Sequence, residues 1–85
     1  MYPNPFNPNT TIDIKLEKNS AIKLCIYNTS GRLVRVITDR FLRAGLHSFA
    51  WNGVDRNGIP AASGVYLIRL QTAAHQVIRQ ATLLK

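Results

Sequence analysis

Ile12, Ile14 and Leu16 alternate with Thr11, Asp13 and Lys15, and Ile22, Leu24 and Ile26 alternate with Lys23, Cys25 and Tyr27. A period of two puts every apolar side chain of such a segment on one face, the pattern of a half-buried β-strand. Glu17-Lys18-Asn19-Ser20 separates the two segments as a turn, and Asn28-Thr29-Ser30-Gly31-Arg32 ends the second with a glycine suited to positive φ. His47, Phe49 and Trp51 repeat the alternation against Leu46, Ser48 and Ala50. Val65 to Thr72 (VYLIRLQT) is a denser apolar strand, expected at the centre of a sheet.

Two segments are less direct. In LVRVITDRFL (33–42), Leu33, Val36, Ile37 and Phe41 match a helical stripe, but Val34, Val36, Ile37 and Thr38 are β-branched and follow a hairpin-like turn. A strand is the better reading there. In Gln76 to Leu84, Val77, Ile78, Ala81 and Leu84 fit a helical face as well as a strand, and periodicity leaves the choice open. Asn52 to Gly64 (NGVDRNGIPAASG) holds Asn-Gly twice and reads as a loop of successive turns. Six strands between regular turns predict an all-β antiparallel sandwich.

At 85 residues the chain has room for one domain and one modest core. Residues 1–9 (MYPNPFNPN) form a lead-in whose three prolines exclude helix and interior strand, leaving 10–85 as the sandwich. The apolar fraction of 46% is too high for a disordered tail. No unbroken apolar run exceeds four residues, as in Val65-Tyr66-Leu67-Ile68, far short of the roughly 20 residues of a membrane-spanning helix. No membrane insertion is expected. The opening residues also lack the basic stretch and apolar core of a secretory signal, so if the domain is exported its export signal is expected elsewhere in a longer parent.

Eleven Lys and Arg face four Asp and Glu, for a formal charge of +7. The cations Lys15, Lys23, Arg35, Arg69 and Arg79 fall one per apolar segment, which reads as outward solvated positions. Polyanion binding through this surface is a third-ranked reading, and with no basic–aromatic cluster no nucleic-acid partner is expected.

Catalysis finds no support. Cys25 is a lone thiol in mid-strand, His47 shares the parity of Phe49 and Trp51, and His75 sits in a turn. No nucleophile signature surrounds any of them, and without a second cysteine there is no intrachain disulfide and no Cys-pair zinc site. Asp55-Arg56-Asn57-Gly58 echoes part of a calcium loop, but Gly53 and Gly64 stand where ligands are needed, so Asp55 and Asn57 are read as turn caps. The expectation is a protein without enzymatic activity, cofactor or metal.

Three stretches together carry a resemblance. The opening YPNPFNPNTTI, the central GLHSFAWNGVDRNGIPAASGVYLIRL and the terminal ATLLK are similar to the type A C-terminal sorting domains of the bacterial type IX secretion system. The same pattern resembles the immunoglobulin-like domain of the flagellar hook-capping protein. The resemblance implies an immunoglobulin-like sandwich of about seven strands, with the lead-in as a short extra edge and both undecided segments as strands. In the sorting family the domain is a noncatalytic address label on a larger cargo protein. It is recognised in the periplasm by the translocon and by outer-membrane shuttle or sortase components, and the cargo ends secreted or on the cell surface. The alternative is a structural or adhesive immunoglobulin-like module, hook-capping-like or appended to a carbohydrate-active enzyme.

Of the matched positions, Tyr2, Pro3, Asn4, Pro5, Phe6, Trp51, Gly53, Gly58, Gly64 and Tyr66 read mainly as fold determinants. Leu83, Leu84 and Lys85, at the end of an accessible last strand, are the candidates for recognition. Their removal is expected to block export while the rest of the sandwich folds. Arg79, Gln80 and Ala81 depart from the family pattern of a basic residue followed by a larger apolar one, which predicts looser packing of that strand.

Overall fold

The computed structural model describes residues 10–84. They form six strands: β1 (Thr10–Leu16), β2 (Ser20–Asn28), β3 (Leu33–Leu42), β4 (Gly45–Trp51), β5 (Gly64–Gln71) and β6 (Gln76–Leu83). All pairings are antiparallel. β1 and β4 make one sheet, and β3-β2-β5-β6, in that order, make the other. The fold is the all-β antiparallel sandwich that the alternation predicts, of the immunoglobulin-like kind that the resemblance implies.

Among the described residues the strand count is six, not about seven. The stretch between β4 and β5 is spent on tight turns and contributes only the isolated bridge Val54 to Pro60. The lead-in, the other source expected for an extra strand, lies outside the described residues, as do its positions Tyr2, Pro3, Asn4, Pro5 and Phe6.

The inward faces meet in one core. Ile12, Ile14 and Leu16 come from β1, Ile22, Leu24 and Ile26 from β2, Tyr66 and Ile68 from β5, and Leu42, Trp51 and Leu83 close the ends. Leu24 and Ile26 are completely buried. Each such side chain contributes about 1.5–3 kcal/mol relative to an exposed position. No charged or polar residue is buried among the described residues.

The β2–β3 pairing shifts register between Leu24 and Cys25 and again between Ile26 and Tyr27. Such irregularities break strict alternation, and Cys25 is buried beside its inward-facing neighbours. In the last segment the strand reading holds. Pairing with β5 places Val77 opposite Leu70 on the core side and Ile78 opposite Arg69 on the outer side. A helix would put the two side by side on one stripe.

Candidate interaction surface

The sandwich has two distinctive regions: the loop that closes one end, and the pair of edges that bound the four-stranded sheet.

At the closed end, Trp51 is the last residue of β4 and 1% exposed. Its indole N–H donates to the Val54 carbonyl at 2.8 Å, so the chain must turn at once after the strand. Gly53 makes that turn with φ of 79°, a conformation costly for residues with a β-carbon. The loop is then stitched internally. The Ala61 amide donates to the Gly53 carbonyl, and the Asp55 amide to the Ile59 carbonyl, both at 2.8 Å. The Asp55 carboxylate accepts from the amides of Asn57 at 2.8 Å and Ile59 at 3.0 Å, capping a turn in which Gly58 has φ of 79°. No neighbouring atom lies within 4 Å of a β-carbon built on Gly58, so its requirement is conformational, not steric.

Tyr66, two residues into β5, packs edge-on against Trp51. Its hydroxyl donates to the Ala62 carbonyl at 2.5 Å, four residues back along the chain. A tyrosine that enters a strand and bonds back to the preceding corner is a recurrent feature of immunoglobulin-like sandwiches. Trp51, Gly53, Gly58, Gly64 and Tyr66 therefore all belong to this one closing loop or its strand ends.

Two contacts that the sequence does not signal tie the loop to β3. The Arg35 guanidinium donates to the Asp55 carbonyl, and the Arg56 amide donates to the Val34 carbonyl, each at 2.8 Å. Arg35 is half-buried, and so is Arg69, which stacks over the Tyr27 ring at 5.0 Å. These two cations thus depart from the expected solvated positions because each has a local partner. Lys15 and Lys23 are exposed.

The terminal candidates separate. Leu83 is 2% exposed and belongs to the core, whereas Leu84 is 73% exposed. Lys85 lies outside the described residues. Cutting before Leu83 removes a core side chain, so that truncation is expected to destabilise the sandwich as well as remove the exposed end. The reason lies in the register, which sets Leu83 opposite Gly64 and leaves room for it over the closing end.

The two edges of the larger sheet are unlike each other. β3 carries two register shifts, the charges Arg35, Asp39 and Arg40, and the Arg56 amide on its Val34 carbonyl. All three features obstruct further strand pairing. β6 pairs with β5 through eight regular rungs and has no proline and a single charge, Arg79. Seven of its eight residues are at least partly exposed, and Val77 and Ile78 on opposite faces are 38% and 48% exposed. Between β6 and β1 runs an open groove lined by Ile12, Ile14, Leu70, Val77 and Arg79. Arg79 lies on the core side, opposite Ile68, yet remains exposed along this groove.

The residues weighed for chemistry stay apart. Cys25 is buried in β2, His47 on β4 contacts the Arg43 carbonyl through Nε2 at 2.7 Å, and His75 occupies the exposed turn before β6. Among the described residues no three His, Cys, Asp or Glu side chains come together as a metal site. Asp55 already spends one carboxylate oxygen on two amides.

Among solved structures, the chain is similar to FlgD from P. aeruginosa, with a TM-score of 0.72 and 24% identity over 96% of this chain and 64% of that one. It is also similar to FlgD from Xanthomonas campestris, a protein of the hook capping essential for flagellar assembly, with a TM-score of 0.68 and 23% identity. That alignment covers 93% of this chain and 56% of the other. The chain thus spans less than two thirds of either FlgD, and at these identities the likeness is one of fold. No curated protein matches it. The family model of the FlgD Ig-like domain matches residues 6–76, and the chain belongs to that family.

Proposed function

We propose that the chain is a noncatalytic, immunoglobulin-like structural module that serves a larger protein by presenting sheet edges and a rigid closing loop to other subunits, as in hook capping. The observation that carries this reading is the membership in the FlgD Ig-like family together with the contrast between a blocked edge at β3 and an open one at β6. A rigid sandwich with its polar loop groups internally bonded is suited to holding position in an assembly, not to turnover. Deleting residues 10–84 from the parent tests it. The structural reading expects a parent that still reaches its compartment but fails to assemble with its partners. A parent that instead accumulates in the periplasm speaks for export.

A second reading is favoured by the motifs YPNPFNPNTTI and ATLLK and by the position of the last strand at an open edge with Leu84 exposed. Here the module is a sorting signal of the type IX system, recognised in the periplasm by translocon, shuttle or sortase components, with the parent secreted or held at the cell surface. The family match and both structural neighbours support the structural reading more directly.

A further inference from the structure

We infer that the outer edge of β6 is a docking site for an extended acidic segment of a partner polypeptide, which adds to the four-stranded sheet as a fifth strand. Among the described residues β6 pairs as a strand only with β5, which leaves the backbone groups of its far edge to an incoming strand. On that edge the Ile78 carbonyl accepts from the Arg79 guanidinium at 3.1 Å, a contact that an incoming carboxylate opposite Arg79 would replace as the strand pairs. Eight rungs without a register shift keep that edge regular enough to template another strand. At the opposite edge, β3 has register shifts, mixed charge and a loop amide already seated on Val34, and cannot serve in the same way.

The side chains of β6 define what the incoming strand must carry. On the core side the order is Val77, Arg79, Ala81, since these pair with Leu70, Ile68 and Tyr66. A matching strand places an acidic residue opposite Arg79 and apolar residues two positions to either side, because directly opposed side chains on one face are the units of cross-strand recognition. The charge of the whole chain points the same way. With a net charge of +7 and Arg79 as the only charged residue of β6, a second copy of this chain is repelled where an acidic segment is attracted. The inference rests on the open β6 edge that also carries the structural reading, but its test needs only the folded 85-residue chain. Its failure is therefore distinguishable from failure of that reading, which deletion in the parent decides.

The test is a nuclear magnetic resonance titration of the full chain with the capped peptide Thr-Val-Thr-Glu-Thr-Val-Thr. Saturable shifts are expected at the backbone amides of β6, with slowed hydrogen exchange there. Replacing the peptide's glutamate by lysine is expected to weaken binding roughly five- to tenfold, in line with the loss of one ion pair and its replacement by a like-charge contact. Arg79→Glu, an exposed position, is expected to reverse that preference. N-methylating every second peptide residue is expected to abolish binding in one of the two frames and spare it in the other, because only one edge of the added strand faces β6. The proposal is overturned by shifts confined to the Tyr27–Arg69 face, by equal binding of the lysine peptide, by tolerance of N-methylation in both frames, by self-association of the chain through β6, or by no response at millimolar peptide.

Discussion

The Trp51 indole and the Tyr66 ring meet edge-to-face, with centroids 5.1 Å apart and planes inclined at 68°. Each ring also holds the loop between them: the indole N–H donates to the Val54 carbonyl and the Tyr66 hydroxyl to the Ala62 carbonyl. Two side chains on strands from different sheets thus fix both ends of one loop and seal the core beneath it.

From this relationship follows a separable pair of stability losses. Tyr66→Phe keeps the ring and loses the hydroxyl bond, and is expected to cost about 1 kcal/mol. Trp51→Ala opens the end of the core and is expected to cost about 3–5 kcal/mol. Denaturant unfolding of Trp51→Ala, Tyr66→Phe and the double variant checks both, and a non-additive double variant is expected because the two changes share one loop.

Leu83 and Leu84 are adjacent in sequence and opposite in environment. Leu83→Ala is expected to destabilise the chain by about 2–5 kcal/mol, as for other buried leucines. Leu84→Ala is expected to stay within about 0.5 kcal/mol, as for exposed positions away from special contacts. Thermal unfolding of the two single variants decides it, and equal effects would contradict the register that buries one and exposes the other.

The turn at Asp55 offers a third check. Gly58→Ala forces a β-carbon into positive φ and is expected to cost about 1–2 kcal/mol. Asp55→Ala removes the acceptor of two amides and is expected to cost about 1 kcal/mol, with Asp55→Asn retaining much of the capping. Because the same carboxylate is committed to those amides, millimolar calcium is expected to leave the melting temperature unchanged. A calcium-dependent rise that vanishes in Asp55→Ala would reassign the loop as a metal site.

How far the sequence reveals this arrangement depends on what each strand packs against. β1, β2 and β5 have one face on the core, so alternation in Ile12-Ile14-Leu16 and Ile22-Leu24-Ile26 exposes them directly. β6 is an edge strand in which only Leu83 is buried, and a pattern imposed by burial is weak where burial is slight. The resemblance to sorting and hook-capping domains supplies the strand reading there. The turn residues Gly53 and Gly58 are legible because positive φ selects glycine. The Arg35–Asp55 link is not, since a guanidinium reaching a carbonyl 20 residues away leaves no periodic trace. Nor does residue type distinguish Leu83 from Leu84: the register against Gly64 does.

The central claim, a structural module in a larger protein, is tested most directly by gain of function. A fluorescent reporter with an ordinary signal peptide is placed before Tyr2 to Lys85 and expressed in a bacterium with an intact type IX system and in one without the translocon. A native sorting domain serves as control for host and signal. The structural account predicts that the reporter, with its domain folded, stays in the periplasm of both strains while the control is exported from the first. Appearance of the reporter on the surface or in the medium of the intact strain alone would contradict it and make the chain a sorting signal.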